Sequence, residues 1–432
     1  MSIYLFFPYN FDYIAENINR LESWIINSLY DLTLDDFQDE NKIIVIQSLL
    51  KKVCEFLRYT KILTPQLELF IEDFIASWDG TFYSKEVFEL ISYYPPRTFE
   101  KLYISIIAPL TRISSIKGYE FRLNILNCFK NLMYRWSSFN WENLRHEKKG
   151  FGNVLTYLET DVNWLNVIAQ LNSYTEQLCF LVLSEKPYSV QCHRTVLDSL
   201  HASMFLITIS SEGNVILPSQ QLMFSLLING DLYTISRLCY LIVSWKQIVN
   251  EHDDLVKNGE AESYTEGFLN QFNKLVNGFL DHLWKQKAYD YKKENDWFGI
   301  NKILIEQLKN NVRSLPWENF NVNLRNLGDV AYSFSFAAMQ IKYLEILQNE
   351  RNIPKSERYY GPIAFQFLNE IDVEKLDKNV RPNYLKYLAE NGAKGLRALL
   401  LTYVEGLTKL TQDPSFSPSF SKTLSQSISP NK

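Results

Sequence analysis

Residues 90–110 read LISYYPPRTFEKLYISIIAPL. Two apolar helical faces meet here, joined by Tyr94-Pro95-Pro96. Upstream, Val87, Leu90, Ile91 and Tyr94 share one side at steps of three and four residues. Downstream, Phe99, Leu102, Tyr103, Ile106 and Leu110 do the same. Thr98 stands where a side-chain oxygen caps a helix start. The stretch therefore predicts a helical hairpin, and it carries no chemistry of its own.

The same period recurs outward from it. Ile14, Ile18, Leu21, Ile25 and Leu29 mark one face, and Ile43, Ile46, Leu49, Leu50, Val53 and Leu57 another, with the acidic loop Asp35–Glu40 between them. Thr64 is expected to cap the next helix, with Pro65 at its first position, where a missing N–H costs nothing. Leu67, Phe70, Ile71 and Phe74 form its face. Trp78-Asp79-Gly80 ends it, with a glycine suited to a left-handed turn. Leu123, Leu126, Phe129, Leu132, Met133 and Trp136 follow Gly118. Ser173-Tyr174-Thr175-Glu176 and Ser263-Tyr264-Thr265-Glu266 fit a capping box, in which Ser and Glu satisfy free backbone donors reciprocally. Asn229-Gly230-Asp231 reads as a helix stop and a new cap. One short run, Asn214-Val215-Ile216-Leu217, has strand-like composition.

Composition agrees with long helices. The chain has 432 residues, 46% of them hydrophobic and 15% aromatic, enough to bury a core and too apolar for a disordered protein. Glycine and proline are scarce, at 15 and 14 residues, so tight turns are few. A spacing of roughly 35 to 50 residues per helix pair fits a HEAT-like array. The expected fold is an all-α, HEAT-like α-solenoid of stacked antiparallel helix pairs. Its expected divisions are N-terminal helical-hairpin repeats over 1–140, central helical repeats over 153–312, and a C-terminal helical segment over 329–410. A disordered Ser/Pro-rich tail is expected over 411–432. Trp141 to Gly152 reads as a long polar turn and Ser314 to Gly328 as an irregular crossover.

The net charge of −5 demands no nucleic acid, although a local basic patch suffices for binding. Cys54, Cys128, Cys179, Cys192 and Cys239 are scattered and odd in number, which reads as reduced thiols of the cytosol or nucleus. The apolar N-terminus lacks a basic region and is broken by Pro8, so no signal peptide is expected. The longest apolar runs fall far short of the ~20 residues that span a bilayer. A soluble protein is expected.

The candidate chemistry is thin. Cys192 and His193 point about 100° apart on a helix and make no natural dyad. His201 shares a face with His193, but no further metal ligand lies nearby. His252-Asp253-Asp254 reads as the polar turn closing a helix that ends near Val249, and His146 and His282 as surface residues. No phosphate loop, nucleophile elbow, zinc motif or calcium loop is present. No catalytic residue, metal site or cofactor is expected, and the chain is not read as an enzyme.

Two stretches suggest contacts instead. Lys285, Lys287, Lys292 and Lys293 interleave with Tyr289 and Tyr291. They read either as a track for a DNA backbone, with rings free to stack, or as a solvated helix end. Near the C-terminus, Leu396, Leu399, Leu400, Tyr403, Leu407 and Leu410 recur at helical steps. That stripe either faces a partner helix or closes the chain's own core.

Trp78-Asp79-Gly80, Leu90-Ile91-Ser92-Tyr93, Pro95, Phe99, Leu102-Tyr103 and Pro109-Leu110 resemble the centromere protein I (CENP-I) family of inner kinetochore subunits. Trp136 and Trp141 sit where that family carries a tryptophan-bearing helix end. Arg381-Pro382-Asn383-Tyr384-Leu385-Lys386-Tyr387-Leu388, Gly392, Gly395-Leu396 and Leu399–Tyr403 are similar to its closing helices. The resemblance runs from Leu67 to Leu410, with residues 151–310 matching only as generic helix. Family members are usually longer, so the chain is expected to begin partway through the pattern.

The resemblance implies a non-enzymatic scaffold of the constitutive centromere-associated network, in the nucleus at the centromere and kinetochore. The implied partners are CENP-H-like and CENP-K-like coiled coils, a CENP-M-like subunit in some lineages, and CENP-T/W-like histone-fold subunits. Tyr384, Leu396, Leu399, Leu400, Tyr403 and Leu407 are the implied partner-binding residues. An α-solenoid adaptor in nuclear transport or trafficking is the alternative: it shares the fold but not the Trp78 and Pro95–Leu110 signatures.

Overall fold

The computed structural model describes residues 20–30, 40–61, 63–137, 164–207, 217–259, 266–285, 287–289, 302–313, 328–350, 352–360, 380–404 and 407. Most of the acidic loop, the Ser263-Tyr264-Thr265 box, Asn214–Ile216, Trp141–Gly152, His146, Tyr291, Lys292, Lys293, Leu410, the crossover before Gly328 and the segment 411–432 lie outside them. Regular structure among the described residues is helical, with no strand.

The helices are α1 over 20–30, α2 Glu40–Thr60, α3 Pro65–Ser77 and α4 Ser84–Ile91. A further run joins α5 Phe99–Leu102, a π-helical turn Tyr103–Ile107 and α6 Ala108–Lys117. Then come α7 Tyr119–Ser137, α8 Trp164–Glu185, α9 Val190–Ile207, α10 Gln220–Asn229, α11 Leu232–Lys257 and α12 Glu266–Leu283. The last are α13 Lys302–Arg313, α14 Ala337–Glu350, α15 Val380–Glu390 and α16 Lys394–Tyr403. The chain divides into two compact units, residues 1–230 with 245–273, and residues 231–244 with 274–432.

In the first unit α7 is the central element, with α4, α6, α8 and most extensively α9 packed on it. Its Leu123, Leu126, Phe129, Leu132, Met133 and Trp136 are all buried, the face that the 3.6-residue period predicts. Trp78 lies 5.9 Å from Phe88 and 5.7 Å from Phe121, ring to ring. Gly80 beside it has φ +79°, and a Cβ there would come within 2.5 Å of Ile113 Cγ2. The glycine is thus required by backbone and by packing alike.

The caps divide into local and borrowed ones. Thr98 accepts from the Lys101 N–H at 3.4 Å, and Asp231 from the Thr234 N–H at 2.8 Å, both as read. Thr64 does not cap α3, because its hydroxyl is buried and makes no cap bond. Glu22 of α1 does so instead, its Oε1 accepting the N–H groups of Gln66 at 2.9 Å and Leu67 at 3.3 Å. The Ser173–Glu176 box is also corrected, since it lies inside α8. There the Thr175 hydroxyl donates to the Leu171 carbonyl, and Glu176 accepts the Ser219 N–H at 2.9 Å before α10. His252 does not mark a turn: α11 runs on to Lys257 and His252 is buried.

The π-turn has a cause in the sequence. Pro109 has no N–H to give the Ser105 carbonyl, so the helix cannot keep its i→i−4 ladder there. The Ala108 N–H reaches back to Tyr103 instead, and the turn widens by one residue.

In the second unit α15 packs on α16 and α14. The Tyr384 ring lies 5.2 Å from that of Tyr343, tilted by 42°. Gly395 sits where a Cβ would come within 2.0 Å of the Ser236 carbonyl, and its N–H donates to Ser236 Oγ at 3.2 Å. A glycine is what lets α16 approach α11 so closely.

Candidate partner-binding surfaces

The turn that joins α4 to α5 is buried from Ile91 through Arg97. Connections normally lie on the surface, because buried backbone polar groups need partners. Here neighbours supply them. The Trp136 indole N–H donates to the Tyr94 carbonyl at 2.9 Å, and the Leu63 N–H to that of Tyr93 at 3.3 Å. Arg135 lies over the Tyr93 ring and donates to the Ser92 hydroxyl. The Tyr94 hydroxyl donates to Glu72. Arg97 grips Glu68 through two bonds, and Lys101 adds a third at 2.9 Å. Burial pushes the Glu68 carboxyl up, but these bonds outweigh it and hold the group below the usual carboxylate range. Every charge in this joint is committed inward, so the turn orders the helices and offers no docking surface.

The outward face lies one turn further on. Tyr103 and Ile104 on the π-turn are 47% and 64% exposed, and Leu69 is exposed on α3, which packs against that turn. Periodicity places Tyr103 on the inner face with Leu102, Ile106 and Leu110. Those three are buried, while the widened turn carries Tyr103 outward. The signal for this is Pro109. In the second unit α13 exposes Ile303, Leu304 and Leu308, with Ile305 buried and Lys302 paired to Glu306 at 3.9 Å.

The C-terminal stripe is built into its own unit. Tyr384, Leu396, Leu399 and Leu400 are fully buried, Leu407 is buried at 4% exposure, and Tyr403 is partly exposed. All but Tyr403 are thus buried among the described residues. The structure brings Tyr384 together with α16 through the α15–α16 packing.

Two of the four lysines lie among the described residues. Lys285 pairs with Asp281 at 3.7 Å, Lys287 is exposed, and Lys292 and Lys293 lie outside the described residues. Tyr289 is not free to stack on a base: it is buried, and burial pushes its hydroxyl up to about 12. His282, read as a surface residue, is buried against Gly328, and desolvation pushes it down to about 4. Asp281, Lys285 and Lys287 stand close to it in sequence, but its own face of α12 points inward.

The nucleophiles are equally committed. All five cysteines are free and buried, and burial pushes the thiols of Cys128, Cys179 and Cys239 far up. Such thiols are poor nucleophiles. His193 bonds the Pro187 carbonyl at 2.7 Å, and His201 the Tyr134 hydroxyl at 3.0 Å. Among the described residues no group of three or more His, Cys, Asp or Glu side chains is placed to hold a metal ion. No described helix is long and apolar enough to cross a membrane.

Comparison with known proteins gives one distant relationship. Centromere protein I of Gallus gallus is 18% identical over 353 residues, which cover 81% of this chain. The same match covers 43% of the relative, so the chain spans less than half of that protein's length. No family model matches the chain. The buried joint and the closing helices, the two places that carry the resemblance in the sequence, are both packed helical elements here.

Proposed function

We propose that the chain is a non-enzymatic scaffold subunit of the inner kinetochore, which binds coiled-coil kinetochore subunits during chromosome segregation. In this reading its helices stack as a HEAT-like α-solenoid, and the protein works in the nucleus at the centromere. The observation that carries the reading is the similarity to Centromere protein I along 81% of the chain. The helical core and the exposed apolar side chains Tyr103, Ile104, Ile303, Leu304 and Leu308 support it, because a scaffold needs rigid elements and outward apolar faces.

The faces offered to helical partners are the π-turn with Tyr103 and Ile104, and α13 with Ile303, Leu304 and Leu308. Within the C-terminal stripe, Tyr403 makes the contact, while Tyr384, Leu396, Leu399, Leu400 and Leu407 hold α16 in place. Lys285 and Lys287 add a weak phosphate contact.

The test is a tagged copy followed through the cell cycle, together with a pulldown. Centromeric foci and retention of two coiled-coil kinetochore subunits are expected. A signal at the nuclear rim or in the cytoplasm favours the transport adaptor, and loss of both foci and partners overturns the scaffold.

A further inference from the structure

We propose that α8 and α9 are joined by a built-in site for one ordered water molecule. A small cavity lies between them, lined by Asn172, Thr175, Glu176, Cys179, Ser199, Leu200, Ser203, Leu217 and Pro218. The space open to a water centre is about 20 Å³. About 10–15 Å³ of such space admits one water. A larger ligand does not fit.

The wall is polar in a specific way. The Ser203 hydroxyl donates to Asn172 Oδ1 at 2.9 Å, which fixes the amide. Asn172 Nδ2 is then left buried with no partner in the protein, and so is Ser199 Oγ. Reversing the amide would leave an acceptor there in place of a donor, still unmatched. Both residues are more than nine-tenths buried, Ser199 at 1% exposure and Asn172 at 8%. The Cys179 thiol lies beside the Ser199 hydroxyl, but sulfur is too weak a partner to satisfy it.

An unsatisfied buried polar group costs about 1–3 kcal/mol, and two residues carrying such groups that line one chamber call for a shared partner. A water satisfies both. It accepts from Asn172 Nδ2–H and donates to Ser199 Oγ. Its second hydrogen goes to Thr175 Oγ1, whose own proton is given to the Leu171 carbonyl, or to the Glu176 carboxylate, which already holds the Ser219 N–H. Three bonds is the usual number for a buried water. The water thereby ties α8 and α9 to the segment that enters α10.

The experiment is a structure of the full chain at a resolution that shows ordered water, for the native protein and for Ser199→Ala. The expected result is density about 3 Å from both Asn172 Nδ2 and Ser199 Oγ. Ser199→Ala should weaken that density and lower the unfolding temperature by a few degrees. No density there, or density belonging to a protein side chain, overturns the proposal. So does a Ser199→Ala protein of equal or greater stability, the outcome for a hydroxyl that never had a partner.

Discussion

Arg97 and Glu68 meet side on, with Nε to Oε1 at 2.8 Å and Nη2 to Oε2 at 2.6 Å, and both side chains are almost wholly out of water. The planar guanidinium matches the carboxylate fork, a geometry that lysine cannot reproduce. Removing Arg97 leaves Glu68 charged and buried with Lys101 alone beside it, which costs at most about 3–5 kcal/mol. Arg97→Ala should therefore lose stability on that scale in urea unfolding. A double change to apolar residues of similar volume, Glu68→Leu with Arg97→Met, should lose much less. Glu68 also sets an acid limit. Its carboxyl is lowered in the fold, so its contribution is present above the ordinary carboxylate range and is lost as pH falls through the folded value.

Glu22 and Thr64 should exchange the roles that local sequence assigns them. Because Glu22 accepts two N–H groups of α3, Glu22→Ala should cost about 1–2 kcal/mol, the upper part of the capping range. Thr64→Val keeps the shape and removes a hydroxyl that has no partner, so it should be neutral or stabilising. Thermal unfolding of the two variants side by side decides the matter. A Thr64→Val protein weaker than Glu22→Ala would contradict the borrowed cap.

Gly80 and Gly118 have the same φ of +79° but different surroundings. Alanine at Gly118 meets nothing within 4 Å, so it should cost only the backbone strain of φ +79° with ψ −153°, a region essentially confined to glycine, about 1–3 kcal/mol. Alanine at Gly80 adds a collision with Ile113 and Phe121 and should cost clearly more. Comparing the two unfolding midpoints separates conformation from packing.

His282 gives the second unit a pH dependence of defined sign. Its folded value is about 4 against an ordinary 6.5, and the cause is desolvation. Between those values the unfolded chain binds the proton that the fold refuses. Stability from this group is therefore full above pH 6.5 and falls as pH drops toward 4. The total is on the order of 3 kcal/mol, at about 1.4 kcal/mol per unit. His282→Gln should flatten that part of the profile. A native and a variant curve that stay parallel between those pH values would count against the buried neutral imidazole.

The helices were legible because their signals are periodic and local. Pro65, Thr98 and Asp231 mark helix starts by side chains within a few residues of the bonds they make or avoid. Thr64 misleads because the true cap stands 44 residues before the Gln66 N–H that it accepts. The Ser173–Glu176 pattern misleads because four residues that fit a cap also fit the inside of a long helix when flanking apolar residues continue the period. His282 was read by its charged neighbours, yet adjacent helical residues face different ways. The C-terminal stripe shows a limit of another kind. An amphipathic face states that something covers it, but not whether the cover is the same chain. Tyr103 needed the consequence of Pro109 to be carried back through one helical turn.

The sealed turn from Ile91 to Arg97 also limits how this chain can vary. Surface connections absorb insertions readily. This one has its carbonyls, ring faces and charges taken by α3 and α7, so an added residue would displace several bonds together. The count of residues between α4 and α5 is in effect a fixed gauge. Length changes, tags and protease cuts should be tolerated at the exposed helix ends and refused here, which makes this joint the ruler against which the surrounding helices are set.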